Sequence, residues 1–262
     1  MSVAILIPAR YRSARFPGKP LAQITLPDGT RRSLLHLTWE AACAVPGGHP
    51  VHVLTDDPRI AEAATGFGAS VILTAPECRN GTERCAEAAA GLEAEVIVNL
   101  QGDAPLTPPW FVADLIAALR AAPPEIAMAT PVLRCDPATH AHLLDDRRHG
   151  RVGATTALFD AQGRALYFSK ELLPWHDPAR PMDATPVWHH VGVYAYRRAA
   201  LAAYAALPEG QLERLEGLEQ LRFLEHGHKV LCVEVAARGR VFWEVNHPED
   251  IPRIEAALRA MA

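Results

Sequence analysis

The chain has 262 residues, of which 49% are hydrophobic, and a formal net charge of −4 at pH 7. This length and hydrophobic content are enough for a large core, so we expect one α/β domain with an embedded lobe. The acidic balance argues against nucleic-acid binding, because it leaves no broad basic surface.

The spacing of the cysteines and the hydropathy of the chain indicate the cellular compartment. The cysteines at positions 43, 78, 85, 135 and 232 form no C-x-x-C pair, which favours reduced thiols over a disulfide framework or a zinc ribbon. No apolar run approaches the length of a membrane span, and no signal peptide is recognisable. We therefore expect a cytoplasmic protein that contacts no membrane.

Strand and helix patterns alternate through the first hundred residues. The strand patterns, in chain order, are VAILI, VHVLTDD, SVILTA and EVIVNLQGD. The helical patterns between them are SLLHLTWEAACAV, with Ser33 as N-cap, PRIAEAATGFG, and GTERCAEAAAGL, with Thr82 as N-cap. Such alternation with short connections predicts a doubly wound, mostly parallel sheet of the Rossmann-like kind.

The pattern changes near residue 133. TTALFDAQGRALYFSK predicts a hairpin, and WHHVGVYAYR predicts one strand. The remaining patterns are helices at 198–206 and 212–226, the strand VLCVEV, and a helix in HPEDIPRIEAALRAMA. These observations predict a main α/β domain of residues 1–133 and 196–262, with a smaller antiparallel lobe inserted at residues 134–195.

The segment PARYRSARFPGKPL, residues 8–21, follows the first strand and carries four basic residues and no acidic one. Ligands of open α/β sheets bind beyond the carboxyl ends of the strands. The segment lacks the G-x-G-x-x-G and Walker A patterns, so we infer that charge replaces glycine in holding a polyphosphate. The alternative is a flexible, solvated turn, which the prolines at positions 8, 17 and 20 make less favourable.

A second polar element, VNLQGDAP, ends another apolar strand and contains Gln101 and Asp103. A carboxylate beside a polyphosphate loop is well placed to bind Mg²⁺, which accepts one or two carboxylates together with phosphate oxygens. An Asp in an ordinary turn is the alternative interpretation of the segment. The basic loop beside it favours the metal site.

Several segments together resemble one known family. IPARYRSARFPGKPL, TDDPRI, GTERCAEAA, VNLQGDAP, ALYFSK, HVGVYAYR, LEGLEQLRFL and NHPEDI are similar, in order and spacing, to segments of the 3-deoxy-manno-octulosonate cytidylyltransferases (CMP-Kdo synthetases). The resemblance runs from residue 3 to about residue 256. It implies transfer of CMP from CTP to a 2-keto sugar acid with release of pyrophosphate, Mg²⁺ as cofactor, and a homodimer formed through the inserted lobe.

The resemblance also implies roles for individual residues. The catalytic residues would be Arg10, Lys19 and Asp103. The nucleotide would contact Ala9, Arg10, Arg15, Lys19, Thr82, Arg84 and Gln101. The sugar acid would contact Gln101, Lys170, His190, Tyr194, Glu219 and Gln220. The metal ligands would be Asp103 and Asn246.

The chain departs from the family pattern at three of these segments. Ala104 follows Asp103 where relatives carry Glu, Lys170 replaces an Arg, and Asn246 stands where relatives have a second metal-binding Asp. Two alternatives therefore stay open: a CMP-transferase for another acid, such as an 8-amino analogue or a phosphonate, and a nucleotide-sugar binding protein without turnover. Periodicity alone would also allow Glu219 and Gln220 to lie on a solvated helix face.

The twelve histidines raise one further alternative, a metal hydrolase. The segments HAH, HH and HGH lack the helical H-E-x-x-H spacing of such enzymes. We therefore interpret most of these histidines as packing or surface residues, with His190 as the exception.

Overall fold

The computed structural model describes residues 1–12, 16–152, 154–177, 185–240, 245 and 247–261. The strands within these ranges are β1 (Val3–Pro8), β2 (Gln23–Thr25), β3 (Arg31–Ser33), β4 (Val51–Thr55), β5 (Ser70–Leu73), β6 (Val96–Leu100), β7 (Ile126–Arg134), β8 (Thr156–Phe159), β9 (Ala165–Ser169), β10 (Trp188–His190), β11 (Val193–Arg197) and β12 (Lys229–Glu234). The α-helices are α1 (Leu34–Cys43), α2 (Pro58–Gly66), α3 (Gly81–Ala89), α4 (Pro109–Ala121), α5 (Pro137–Arg148), α6 (Arg198–Ala206), α7 (Gln211–Glu216), α8 (Leu221–Glu225) and α9 (Ile251–Met261). Short 3₁₀ helices span Lys19–Leu21 and Pro248–Asp250.

The main sheet has the strand order β5-β4-β1-β6-β11-β7-β10-β8-β9 in the described residues, with β12 paired to β7. The first four strands in this order are parallel to one another. β11 is antiparallel to both β6 and β7, and β12 is parallel to β7. The predicted α/β fold class is confirmed. A separate two-stranded antiparallel sheet is formed by β2 and β3.

Successive side chains of β1 belong to cores on opposite faces of the sheet, as the two-residue period of a strand requires. Val3, Ile5 and Ile7 pack in one core, which receives α1, α2 and α4. Ala4 and Leu6 pack in the other, which receives α3, α6 and α8. A sheet covered on both faces explains why the sequence of β1 is continuously apolar.

The strands of the predicted inserted lobe continue the main sheet. β10 is antiparallel to β7, β8 pairs with β10, and β9 pairs with β8 as the last strand in this order. These pairings do not mark off residues 134–195 from the main domain, so the inserted lobe stays a prediction.

Three predicted elements differ in the structure. The N-cap of α3 is Asn80, whose side chain accepts a hydrogen bond from Glu83 N, so the prediction of Thr82 was wrong. The helix predicted at 212–226 is divided into α7 and α8, because Gly217 takes a left-handed conformation (φ 62°) and ends α7. Ser33 does cap α1, as predicted, and accepts a hydrogen bond from His36 N.

The third difference is the strand predicted in WHHVGVYAYR, which is divided into β10 and β11. Pro131 of β7 lies opposite the break, and Val191 N donates to its carbonyl oxygen over 3.1 Å. Proline has no N–H to return a hydrogen bond, so the ladder is interrupted there. Val193 N instead donates to Val191 O over 2.7 Å. Before the break β10 pairs with β8, and after it β11 pairs with β6.

All five cysteines are free. None of the described helices is both long enough and apolar enough to span a membrane.

Candidate active site

A cleft opens at the carboxyl ends of β1 and β6, which are adjacent parallel strands. Adjacent parallel strands deliver their exit loops to the same edge of a sheet. The structure therefore brings the basic loop and the QGD turn together, as the sequence predicted. The predicted site residues that line this cleft are Ala9, Arg10, Lys19, Arg84, Gln101, Asp103 and Glu219.

Lys19 and Asp103 form an ion pair inside the cleft. The Nζ of Lys19 lies 2.5 Å from Oδ2 of Asp103 and donates a second hydrogen bond, of 2.9 Å, to the carbonyl oxygen of Val245. The two side chains retain 15% and 26% of their exposure, so both can still be reached from the cleft. In this state, the cation predicted to hold phosphate and the carboxylate predicted to hold metal neutralise each other.

Arg10 and Arg84 are held differently. Arg10 is exposed, and its Nη1 donates to Arg79 O over 3.0 Å. Arg84 is 3% exposed; it hydrogen-bonds Thr74, and its Nη2 lies 3.1 Å from Oδ1 of Asp56. Arg84 is therefore fixed in the wall of the cleft, whereas Arg10 can reorient towards a ligand.

The first turn of α3 forms another wall. The Thr82 N–H donates to Oε2 of Glu219 over 3.0 Å, and the Thr82 hydroxyl lies 3.1 Å from that of Tyr196. Burial raises the pKa of the Glu219 carboxyl, although hydrogen bonds from the amides of Thr82 and Gly81 oppose the rise. Thr82 supports the cleft wall through these bonds and is not among the residues that line it.

His190, Tyr194 and Gln220 form a buried group that adjoins the cleft through Glu219. The Tyr194 hydroxyl donates to Oε1 of Gln220 over 3.2 Å, and the rings of His190 and Tyr194 are 5.6 Å apart. The Nε2 of Gln220 is buried without a hydrogen-bond partner, as is the Nδ2 of Asn99 on the neighbouring strand β6. Buried donors without partners are costly, so two such amides beside a cleft point to a ligand that accepts hydrogen bonds.

Burial lowers the pKa of His190 to about 3, so this ring is neutral in the folded protein. Its Nε2 lies 2.8 Å from the Thr130 hydroxyl. The unfolded chain takes up a proton near pH 6.5, so the His190 contribution favours unfolding as the pH falls below that value.

We expect His190→Gln to reduce the acid sensitivity of the fold. Between pH 7 and pH 5, the unfolding free energy of this variant should fall by about 2 kcal/mol less than that of the native chain. Urea unfolding of the two proteins at both pH values measures this difference. Equal losses of stability would mean that His190 is protonated in the folded state at pH 5.

The other predicted residues lie elsewhere. Lys170 does not line the cleft: its backbone N–H donates to Oε2 of Glu216, and its Nζ lies beside Gly217. Arg15 and Asn246 lie outside the described residues, so their assignments stay predictions.

Asn80 and Gly81 line the cleft but are not among the site residues predicted from the sequence. A signal was present, because Asn followed three residues later by Glu83 is a typical helix N-terminus. A Cβ on Gly81 would approach the Gln101 side chain and the Pro8 ring to between 3.1 and 3.2 Å. The absence of a side chain here lets α3 approach the strand exits.

Comparisons with known proteins agree with this geometry. The cytidylyltransferase family matches residues 4–230. The chain is 42% identical over 262 residues to the 3-deoxy-manno-octulosonate cytidylyltransferase of Maricaulis maris, with 99% of this chain and 98% of that protein covered. It is 41% identical over 261 residues to the 8-amino-3,8-dideoxy-manno-octulosonate cytidylyltransferase of Shewanella piezotolerans, with 98% and 99% covered.

Among solved structures, the CMP:2-keto-3-deoxy-manno-octonic acid synthetase complexed with CTP superposes with a TM-score of 0.85 and 33% identity over the whole of both chains. Sequence and fold thus lead to the same assignment. The chain belongs to the cytidylyltransferase family, in the group of 3-deoxy-manno-octulosonate cytidylyltransferases that its sequence motifs resemble.

Proposed function

We propose that this enzyme transfers CMP from CTP to a 2-keto sugar acid, 3-deoxy-D-manno-octulosonate, and releases pyrophosphate. The observation that carries the proposal is the convergence of Arg10, Lys19, Arg84 and Asp103 in one cleft at the exits of two adjacent parallel strands. The three cations match a triphosphate, and the Asp103 carboxylate matches a divalent metal ion that arrives with it.

The reaction makes one bond and breaks one. The anomeric hydroxyl of the acid attacks the α-phosphorus of CTP, the bond between the α- and β-phosphates breaks, and the hydroxyl proton passes to solvent. Little covalent work falls to the protein, so positioning and charge neutralisation dominate catalysis. In this scheme Lys19 neutralises the charge that grows on the departing pyrophosphate, while Arg10 and Arg84 orient the nucleotide.

The residues present fit a magnesium ion. Asp103 offers a partly exposed carboxylate in the cleft, and oxygen is the ligand that Mg²⁺ prefers. The described residues contain no group of three or more His, Cys, Asp or Glu side chains that could hold a metal by themselves. A metal bound by Asp103 and by the nucleotide agrees with both observations; the predicted second ligand is Asn246. When bound, Mg²⁺ would screen phosphate charge and lower the pKa of a coordinated hydroxyl.

The buried group next to the cleft supports binding of the acid there. The unpartnered amide nitrogens of Gln220 and Asn99 can donate to a carboxylate or to hydroxyl oxygens, and Tyr194 holds the Gln220 amide in place.

A second substrate is supported by one observation. The chain is almost equally identical to the M. maris and S. piezotolerans proteins, at 42% and 41%, and these differ in the acid that their names specify. The 8-amino analogue is therefore the competing substrate.

A pyrophosphate-release assay tests both proposals. CTP, UTP, ATP and GTP are each combined with 3-deoxy-D-manno-octulosonate, its 8-amino analogue and a sialic acid. We expect the largest kcat/KM for CTP with 3-deoxy-D-manno-octulosonate. A larger value for the 8-amino acid would transfer the assignment to that substrate, and no release with any pair would refute the enzymatic proposal.

We also propose a cytoplasmic homodimer. β9 is the last strand in the described sheet order and exposes 63% of Leu166, and an exposed apolar edge strand is a typical site of association. Light scattering should give twice the chain mass of 28.5 kDa, and Leu166→Lys should shift the particle towards the monomer. A monomeric native protein would contradict the proposal.

Gly102→Ala should weaken nucleotide binding more than it destabilises the fold. A Cβ at this position would lie 3.0 Å from Pro8 O, so the loops that carry Arg10 and Asp103 must separate. Displacements of this size in a positioning site can cost about tenfold or more in rate. We expect a raised KM for CTP with little change for the acid. Gly66→Ala, at the end of α2, is the control and should change neither, because an added Cβ there meets no atom within 4 Å. Native kinetics in Gly102→Ala would show that the loop spacing is not critical.

A further inference from the structure

A charged network is buried behind the cleft, where the proposed mechanism does not use it. Arg222 is 1% exposed and donates to both carboxylate oxygens of Glu213, over 2.6 and 2.7 Å. Its Nη1 donates to Glu83 over 3.2 Å, and its guanidinium carbon lies 4.2 Å from the centre of the Tyr204 ring. A buried arginine with a bidentate partner is a rigid, directional element.

The network reaches the cleft through Tyr204 and Asn80. The Tyr204 hydroxyl donates to Oε1 of Glu213 over 3.3 Å, and Asn80 Nδ2 donates to that hydroxyl over 3.2 Å. Asn80 lines the cleft, caps α3 and accepts a hydrogen bond from Glu83 N. The Glu83 side chain in turn accepts from Arg222, so Asn80 is also linked to the network through Glu83. The first turn of α3 is thus tied to the buried pair at two points.

The same pair brackets the segment that carries two predicted acid-binding residues. Glu213 lies on α7 and Arg222 on α8, and the connection between these short helices contains Glu219 and Gln220. The bidentate contact therefore joins the two helices on either side of this connection. In turn, Glu219 accepts from Thr82 N, so the connection and the first turn of α3 meet at the cleft.

Stability alone is a weak explanation for such a pair. Burying two charges requires desolvation that their attraction offsets only partly, and an apolar pair of similar volume often stabilises a fold equally well. Directional hydrogen bonds instead specify one arrangement of the parts they join. We propose that Arg222 and Glu213, acting through Tyr204, are positioning residues that hold Asn80, Glu219 and Gln220 in register around the substrate. This inference rests on the proposed function for its kinetic consequence.

Tyr204→Phe is the most selective test, because it removes only the hydroxyl that links Asn80 to Glu213. We expect a severalfold to about tenfold increase in KM for the acid, and a smaller increase in the Kd for CTP, because Asn80 also lines the cleft. Unchanged kinetics for the acid would overturn the role of this link.

The pair itself is tested by Glu213→Leu combined with Arg222→Met, which replaces both charges by apolar side chains. We expect a melting temperature near the native one and a kcat/KM for the acid lowered by about tenfold or more. In the matched control, Asp146→Leu with Arg151→Met removes an ion pair between α5 and the segment that follows it, which does not line the cleft, and its kinetics should stay native. Native kinetics in a folded Glu213–Arg222 double variant would overturn the proposal. If that variant does not fold, Arg222→Lys is measured instead, because it keeps the charge but loses the bidentate geometry. A lowered kcat/KM for the acid in Arg222→Lys would support the proposal, and native kinetics would overturn it.

Hydrogen exchange separates this inference from the proposed function. In Tyr204→Phe, the amides of residues 81–82 and 218–221 should exchange faster than in the native chain, without any substrate present. Equal exchange would contradict the positioning role whatever the substrate. Faster exchange in a protein that releases no pyrophosphate would uphold the positioning role and refute only the enzymatic assignment.

Discussion

Lys19→Ala is expected to lower kcat for CMP transfer by about 10²–10³-fold, the usual effect of removing one preorganised donor at a site of developing charge. Lys19 is held in the cleft with 15% of its side chain exposed, so its charge is only partly screened by water. The charge that it meets increases as pyrophosphate leaves. The loss should therefore appear mainly in kcat and less in KM.

Steady-state kinetics with CTP as the varied substrate measure this split. The matched control is Lys229→Ala, which removes a lysine whose side chain is 46% exposed and paired with Glu125, and it should be kinetically silent. An unchanged kcat with a raised KM for CTP would show that Lys19 is a passive binding contact.

Asp103→Asn should have two effects of opposite sign. Turnover supported by Mg²⁺ should fall by about 100-fold or more, because a metal ion bound as proposed would lose its charged protein ligand. Binding of CTP without metal should become tighter. The native carboxylate occupies Lys19 at 2.5 Å and repels an approaching triphosphate, whereas the amide does neither as strongly.

Titration calorimetry with CTP in the presence of a chelator measures the second effect, and pyrophosphate release across a Mg²⁺ series measures the first. Asp145→Asn, at an exposed position on α5, is the control for the loss of one negative charge. Full activity in Asp103→Asn would remove the metal assignment. Weaker metal-free binding would show that the ion pair does not compete with the nucleotide.

The parallel half of the fold and the location of the cleft could be predicted because both depend on local sequence. A short apolar run marks each of the parallel strands β1, β4, β5 and β6. Polar residues follow at the ends of β1 and β6. Geometry then brings those ends together, because β1 and β6 pair in register from Val3 to Leu6. Arg10, Lys19 and Asp103 were found in this way.

The remainder depends on contacts between distant parts of the chain. The division of β10 from β11 depends on Pro131 in β7, whose carbonyl oxygen accepts a hydrogen bond from Val191 N, and no local pattern in WHHVGVYAYR reveals it. Helical periodicity places Arg222 beside apolar neighbours without showing that Glu213 and Glu83 will pair with it. Lys170 was placed by resemblance alone, and its position beside Gly217 depends on how α7 ends.

Transfer of the α-phosphorus of CTP to the acid in this cleft is tested most directly with labelled CTP. The native enzyme is incubated with Mg²⁺ and 3-deoxy-D-manno-octulosonate, using CTP labelled with ³²P at either the α or the γ position, and the products are separated. We expect the α label to enter a sugar-nucleotide ester and the γ label to enter pyrophosphate, in equal amounts, and Lys19→Ala to lose both products together. Label from the γ position in orthophosphate or in the sugar, or α label in free CMP alone, would contradict this expectation.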